Sequence, residues 1–370
     1  MIYLDYAANT PVAPQVLEEY VSCEQTYMAN PNSAHPLGAM ARQKMWETTE
    51  RIGAELGIDG AGIIYTSGAS EANNTAIKGI AAAGRGRHIV STPLEHPSVS
   101  APLNYLQEQG WEIDYADIGT DGKINVEHLK SLVREDTVLI AVTAVDSELG
   151  TIQPIAEIAE IKKQSPGCVL HVDATQAIGK IPFSFEGIDT AAFTAHKFYG
   201  PNGIGVLYKS RSVKMEPLIH GGGASPYRSG TPALALVSAL GKALSLSLDS
   251  LPERYAYVKQ MNEHLRARLG TYPAVVINSP ADAVPHILNV SVSGVKGTRF
   301  RDALAELGVC VSVRSACSTD GAPSKAVYAV SGDRRNALSS WRISLSHLTT
   351  EDEINEFLKA FDTCYKRLVG

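Results

Sequence analysis

The chain has 370 residues, of which 44% are hydrophobic and 19% charged, with a formal net charge of -6. That composition excludes a disordered or fibrous protein and suits an ordinary globular one built from two packed units, one large and one small. The charge forms no basic stripe, so neither nucleic acid nor a membrane surface is an expected partner.

Five scattered cysteines, Cys23, Cys168, Cys310, Cys317 and Cys364, include no C-x-x-C pair. Neither a disulfide framework nor a zinc site is expected, and the thiols read as reduced. The opening residues Met1-Ile2-Tyr3-Leu4-Asp5 show no secretory pattern, and no later run reaches the roughly 18 apolar residues that spanning a bilayer needs. A cytoplasmic location is therefore expected. The tripeptides Asn73-Asn74-Thr75 and Asn289-Val290-Ser291 match the N-glycosylation pattern, and without a secretory signal both read as chance.

In chain order, apolar β-branched runs predict strands at 63–65, 88–90, 138–142 and 169–172, with helices predicted between them at 70–83, 97–109 and 155–163. This βαβ rhythm implies a mostly parallel sheet covered on both faces, with ligands beyond the carboxyl ends of its strands. After about residue 250 the pattern changes to a strand at 286–292, a helix at 298–307, strands at 310–313 and 341–345, and a final helix, which read as a separate α+β unit. That last helix opens on the capping box Thr350-x-x-Glu353 and lines up Ile354, Phe357, Leu358, Phe361 and Leu368 on one face. The expected division is an N-terminal segment, 1–14, packed with the small unit, a large unit over 15–250 and a small unit over 251–370.

Three motifs carry chemistry. Residues 194–203, Thr-Ala-His-Lys-Phe-Tyr-Gly-Pro-Asn-Gly, set Lys197 between an apolar strand and a glycine-rich turn. A lysine desolvated in a cleft is easily neutral, and a neutral amine attacks an aldehyde to form an imine. Alone, Lys197 reads equally as a loop residue. The strand over 168–172 delivers Asp173 at its carboxyl end, where a buried carboxylate can keep a pyridine nitrogen protonated and make the ring an electron sink. Alone, Asp173 reads as a helix cap. The turn Thr66-Ser67-Gly68-Ala69-Ser70-Glu71 opens a helix whose first N–H groups suit a phosphate, or simply need capping. Together they point to pyridoxal phosphate held as a Schiff base on Lys197 in an enzyme that acts on an amino acid.

These residues, with 3–11 (Tyr-Leu-Asp-Tyr-Ala-Ala-Asn-Thr-Pro), Glu95-His96, Asp173-Ala174-Thr175-Gln176, Arg228-Ser229-Gly230-Thr231 and Ser315-Ala316-Cys317, resemble the class V aminotransferase family. Within it they are similar to the cysteine desulfurases of the NifS and IscS type, over nearly the whole chain. The resemblance implies an α/β fold, the PLP-dependent transferase fold type I, with a mostly parallel mixed sheet in the large domain and a smaller α+β C-terminal domain. It places His96 on the ring of pyridoxal 5'-phosphate as a proton shuttle, Asp173 at the pyridine nitrogen and Gln176 at the phenolic oxygen. Ala69, Ser70, Thr194 and His196 are implied at the phosphate. Thr231 is implied to reach a partner's phosphate across a homodimer interface. Arg342 matches the arginine that grips the substrate α-carboxylate, a task suited to its fork of donors, or else pairs with a structural acid on its apolar strand.

Cys317 sets the branch of the family. Its surroundings, 314–324, are polar with Gly and Pro and read as a long, mobile loop. Thiolate is a nucleophile, and the resemblance makes Cys317 the group that takes sulfur from L-cysteine as a persulfide. Alanine then leaves, and the sulfur passes to an acceptor protein such as an iron–sulfur scaffold. The other cysteines lie in apolar patterns and read as small core residues.

Two departures from the family stand out. In Val145-Asp146-Ser147-Glu148-Leu149-Gly150, Ser147 replaces the asparagine that touches the cofactor oxygen, and Asp146 adds a negative charge beside it. In 220–231 the usual acidic or amide residue followed by arginine is missing around Ala224, and the segment is one residue shorter. Both leave the Lys197 chemistry intact. They keep open another PLP enzyme of the same class, a selenocysteine lyase, β-lyase or aminotransferase, and a PLP-binding scaffold that does not turn over.

Overall fold

A computed structural model describes residues 1–222, 225–313 and 322–370. A two-residue strand, β1 (Ile2–Tyr3), is followed by helices α1 (Pro14–Thr26) and α2 (Pro36–Leu56). Strand and helix then alternate: β2 (Ile63–Thr66), α3 (Ala69–Ala83), β3 (His88–Ser91), α4 (Pro97–Glu108), β4 (Glu112–Tyr115), α5 (Val126–Leu132), β5 (Thr137–Thr143), α6 (Ile155–Lys163) and β6 (Val169–Asp173). Two further strands, β7 (Thr190–Thr194) and β8 (Gly205–Lys209), complete a seven-stranded sheet in the order β2-β8-β7-β6-β5-β3-β4.

The sheet is parallel throughout except at β8, which runs against both β7 and β2. The strand period of two explains how it is covered. Along β5, Ile140 and Val142 face the core that includes Ile158, Leu170 and Leu240, while Leu139 and Ala141 face the one built on Ala76, Ile77 and Leu103 of α3 and α4. Each predicted strand and helix of this region is present, with ends moved by a residue or two.

The chain continues through α7 (Leu234–Asp249), α8 (Leu251–Leu269), β9 (Val275–Ile277), β10 (Ile287–Val292), α9 (Gly297–Glu306), β11 (Val309–Cys310), α10 (Lys325–Ser331), α11 (Arg334–Ser339), β12 (Ser340–Ser344) and α12 (Glu351–Val369). The antiparallel sheet β12-β10-β9 packs with α9 and α12 around Phe300, Trp341, Phe357 and Phe361, with Phe300 stacked on Trp341 at 5.3 Å. The capping box at Thr350 and Glu353 forms as predicted. The strand expected at 310–313 is only two residues long, because Ser312 pairs across to Arg342 and does not continue along β1. Cys310 is accordingly half-buried, whereas Cys23, Cys168 and Cys364 are core residues. Strand β1 pairs in parallel with β11, and Asp5 bridges to Ser344, so the first residues join this smaller sheet system. Among the described residues no single helix is long and apolar enough to cross a membrane.

Candidate active site

The carboxyl ends of β2, β5, β6 and β7 lie along one edge of the large sheet and surround a cavity of about 340 Å³, a size suited to a small-molecule ligand. Ala69, Ser70, His96, Ser147, Asp173, Gln176, Thr194, His196, Lys197 and Arg342 all line it. Thr231 is exposed and does not. Cys317 and Ala224 lie outside the described residues.

Strand β7 is buried along its whole length and ends at Thr194, where a single tight turn, Ala195–Lys197, swings the lysine into the cavity. Lys197 Nζ donates to the carbonyls of Ala7 at 2.8 Å and Ala8 at 2.7 Å. The N-terminal segment thus roofs the amine. The Thr10 hydroxyl fixes the same turn, donating to the His196 carbonyl at 2.9 Å and accepting from the Tyr199 N–H at 2.8 Å. Tyr199 holds φ at 66°, a left-handed conformation that strains a bulky residue. Its ring is pinned by a 2.7 Å bond to Ser346 and an edge contact with His347, so the turn after Lys197 is over-determined.

At the opposite wall, Gly68 caps α3 and leaves the N–H groups of Ala69 and Ser70 at the positive end of the helix. Glycine is needed at 205 on β8, since a Cβ there would come within 2.7 Å of the Gly68 backbone. Glu71 ties the turn down, accepting from the Ser67 N–H at 2.8 Å and from Arg228 at 2.9 Å. Thr194 Oγ1 lies 3.1 Å from His196 Nδ1. Burial, reinforced by Lys197 and Lys180, pulls the His196 ring down to about 4, so it is a neutral donor or acceptor. The result is an anion cradle of backbone N–H groups, a hydroxyl and an imidazole.

Asp173 has two tasks at once. One oxygen caps the turn that follows, accepting from the Thr175 N–H at 3.0 Å, and the other accepts from Asn73 Nδ2 at 2.9 Å. Asn73, wholly buried, also reaches Ser98 Oγ at 2.9 Å and His171 Nε2 at 2.9 Å, and His171 is held in turn by Thr190. Ser98 lies 2.8 Å from His96 Nδ1, which also accepts from the Ser98 backbone N–H. That backbone donor makes Nδ1 an acceptor and leaves the ring proton on Nε2. Burial lowers the pKa of His96 below its ordinary value, Asp173 opposing and Lys197 assisting. Asn73 therefore joins the two cavity groups, Asp173 and His96, in one buried network. Nothing in the sequence alone marked Asn73, Ser98 or His171 for this role. Both glycosylation-like asparagines, Asn73 and Asn289, are fully buried.

Arg342 lines the cavity and also makes the structural ion pair left open by its sequence context, with Nη2 on Asp5 at 2.9 Å and Nη1 on the Ser147 carbonyl at 2.7 Å. Its buried Nε has no partner among the described residues. Asp146 does not add charge to this cavity: it is absent from the lining, and its carboxylate caps the backbone N–H groups of Glu148 and Leu149.

Glu95, next to His96 in the chain, is a further buried acid. It accepts from Thr92 Oγ1 at 2.7 Å and the Thr143 N–H at 3.1 Å, leaving its other oxygen without a partner among the described residues. Burial pushes it up to about 8, with Asp173 and Asp146 acting in the same direction. In the unfolded chain a glutamate titrates near 4.3. Between about pH 4 and 8 the folded protein thus holds a proton that the unfolded chain has lost, and Glu95 makes stability fall as pH rises through that window. Glu95→Gln is expected to make this slope less negative by up to about 1.4 kcal/mol per pH unit. Denaturant unfolding of both proteins across the window tests it, and identical slopes would refute the assignment.

The profile of the family described as Aminotransferase class-V matches residues 2–357. A NifS/IcsS protein homolog from Lactobacillus delbrueckii subsp. bulgaricus is 36% identical, covering 99% of this chain and 97% of its own length. A cysteine desulfurase IscS from Dechloromonas aromatica is 37% identical, covering 97% and 90%. Among solved structures, a NifS-like protein superposes with a TM-score of 0.93 at 35% identity over 99% of this chain and all of its own. A structure described as SspA in complex with cysteine superposes at 0.82 with 30% identity over 95% of this chain. With its cavity at the strand ends and its likeness to these proteins along nearly the whole length, the chain belongs to the class-V aminotransferase family.

Proposed function

We propose that the protein is a PLP-dependent cysteine desulfurase that converts L-cysteine to L-alanine and holds the sulfur as a persulfide on Cys317. The observation that carries the reading is the single cavity that brings Lys197, His96, Asp173 and Arg342 together. Relatives named cysteine desulfurase and a structural neighbour in complex with cysteine support it.

The donor set fits the cofactor. The α3 N-terminus with Thr194 and His196 suits the phosphate, Asp173 suits a protonated pyridine nitrogen, Gln176 the phenolic oxygen and the Lys197 amine the aldehyde. When bound, PLP supplies a ring that withdraws the electron pair released at the substrate's Cα.

The rest is the work of the chain. Lys197 Nζ, positioned by the Ala7 and Ala8 carbonyls, holds the cofactor and then takes the Cα proton. His96 Nε2 faces the cavity as a proton carrier for the substrate thiol. Arg342 Nε and the adjoining guanidinium edge receive the substrate carboxylate, with Ser147 beside them. The Cys317 thiolate attacks the substrate sulfur: the new Sγ–S bond forms as the Cβ–S bond breaks, Cβ keeps the electron pair and gains a proton, and alanine leaves.

The same reading carries a homodimer in which the exposed Thr231 completes the partner's phosphate cradle, a cytoplasmic location, a sulfur-acceptor protein, and division of the chain at residues 14 and 250. The test is incubation of the holoenzyme with L-cysteine and a thiol reductant. Alanine and sulfide are expected in equal amounts, with Cys317→Ala losing both while still binding the cofactor. Alanine and sulfide release that survives Cys317→Ala assigns the protein to another PLP activity of the class.

A further inference from the structure

A second, much smaller cavity of about 40 Å³ lies one layer behind the Lys197 turn, where the large sheet's crossover meets the start of α8 and the 345–347 segment. Its walls include Lys180, Arg254, His286 and His347, and no carboxylate lines it among the described residues. Cations gathered around a partly buried space without a counter-charge are costly, because a lowered local dielectric magnifies their repulsion. His286 is 7% exposed and its Nε2 is buried with no hydrogen-bond partner among the described residues. An orphaned polar atom of this kind calls for a bound partner. Arg254 lies over the Tyr199 ring at 5.2 Å and its Nη1 donates to Ser247 Oγ at 3.5 Å, so the rest of its guanidinium edge is what an anion would meet. The volume exceeds the roughly 10–15 Å³ that one water needs and is far below that of the main cavity.

We propose that this cavity is a binding site for a small inorganic monovalent anion, chloride in ordinary media, held by Lys180, Arg254 and the Nε2–H of His286. Burial, with Lys180 and Arg342 nearby, keeps the His286 ring well below its ordinary pKa, and burial with Lys197 and Arg342 lowers Lys180 in the same way. The imidazole thus serves as a neutral donor, Arg254 supplies the fixed charge and a bound anion favours the charged form of Lys180. The site connects directly to the main cavity. Lys180 Nζ donates to Gln176 Oε1 at 2.6 Å, and Gln176 lines the larger cavity while its Nε2 donates to the Ala7 carbonyl at 2.9 Å. An anion on Lys180 draws part of the ammonium's field away from that glutamine and braces the turn carrying Lys197 from behind.

The test uses the holoenzyme. Crystals soaked in bromide in place of chloride are expected to show an anomalous peak in the cavity within hydrogen-bonding reach of Lys180 and His286. In solution, replacing gluconate with chloride at fixed ionic strength is expected to raise the thermal midpoint by on the order of 2 °C or more. Arg254→Gln and His286→Phe are each expected to abolish both signals. A cavity that holds only water in the bromide-soaked crystals overturns the proposal, as does bromide found on the surface alone. A chloride-dependent midpoint that persists equally in both variants does so too.

Discussion

Lys197→Ala is expected to abolish turnover, by roughly 10⁴-fold or more, while leaving the protein folded. Two losses combine in that figure, covalent attachment of the cofactor and the base at Cα, and each contributes on a scale of orders of magnitude. The fold is expected to survive because Lys197 Nζ points into a cavity, and the Ala7 and Ala8 carbonyls to which it donates can be met by water once the amine is gone. The backbone turn is held independently, by Thr10 and by the Tyr199 contacts with Ser346 and His347. Borohydride treatment provides the second readout. Wild type is expected to acquire a pyridoxyl mass on the peptide containing Lys197, and the variant to acquire none. A variant that still carries the tag elsewhere at full occupancy, or that keeps more than a hundredth of the activity, contradicts the assignment.

Asp173→Ala is the second large effect, a loss of roughly 10²–10³-fold in kcat, the scale on which one group placed against developing charge acts. A carboxylate that served only as a cap for the Thr175 N–H would cost stability and little rate, about 1 kcal/mol. The other oxygen, aimed through Asn73 at the His96 network, separates the two roles. Asn73→Ala removes one hydrogen bond to a charged group, worth about 1.5–3 kcal/mol, so a loss of about 10- to 100-fold in kcat is expected with a smaller change in KM. A shift in the cofactor's visible absorbance in both variants is the accompanying sign. If both variants lose stability alone, with kcat and spectrum unchanged, Asp173 is only structural.

The parts of this site legible in the sequence are those whose chemistry is local. Lys197, Asp173 and the Thr66–Glu71 turn each sit where an apolar run stops, and a strand end followed by Gly, Ser or Asp can be read within a few residues. The network around Asn73 was not legible, because it joins atoms 98 positions apart with His171 and 100 apart with Asp173. The local pattern at Asn73 offers only a glycosylation tripeptide, which reads as chance. The amine's acceptors are main-chain carbonyls of two alanines, which carry no side-chain signal at all. Arg342 shows the opposite difficulty. Substrate grip and structural pairing looked like alternatives, whereas a residue with five donors lines the cavity and pairs with Asp5 simultaneously. Strand β11 is shorter than its apolar run, since the run at 310–313 continues past Cys310, where pairing with β1 stops.

The carbonyls that hold Lys197 belong to residues 7 and 8, whose own position depends on the far end of the chain. Leu4 and Tyr6 are stitched to Ser344, Ile2 to Gly308, and Asp5 to Arg342. During synthesis residues 2–6 therefore emerge well before their partners around 308 and 344, whereas residues 7–10 can already meet Gln176, His196 and Lys197. A chain truncated before residue 340 would keep every strand of the large sheet but lose the Arg342 and Ser344 contacts of residues 4–7, so the roof over its lysine would rest on the contacts of residues 7–10 alone.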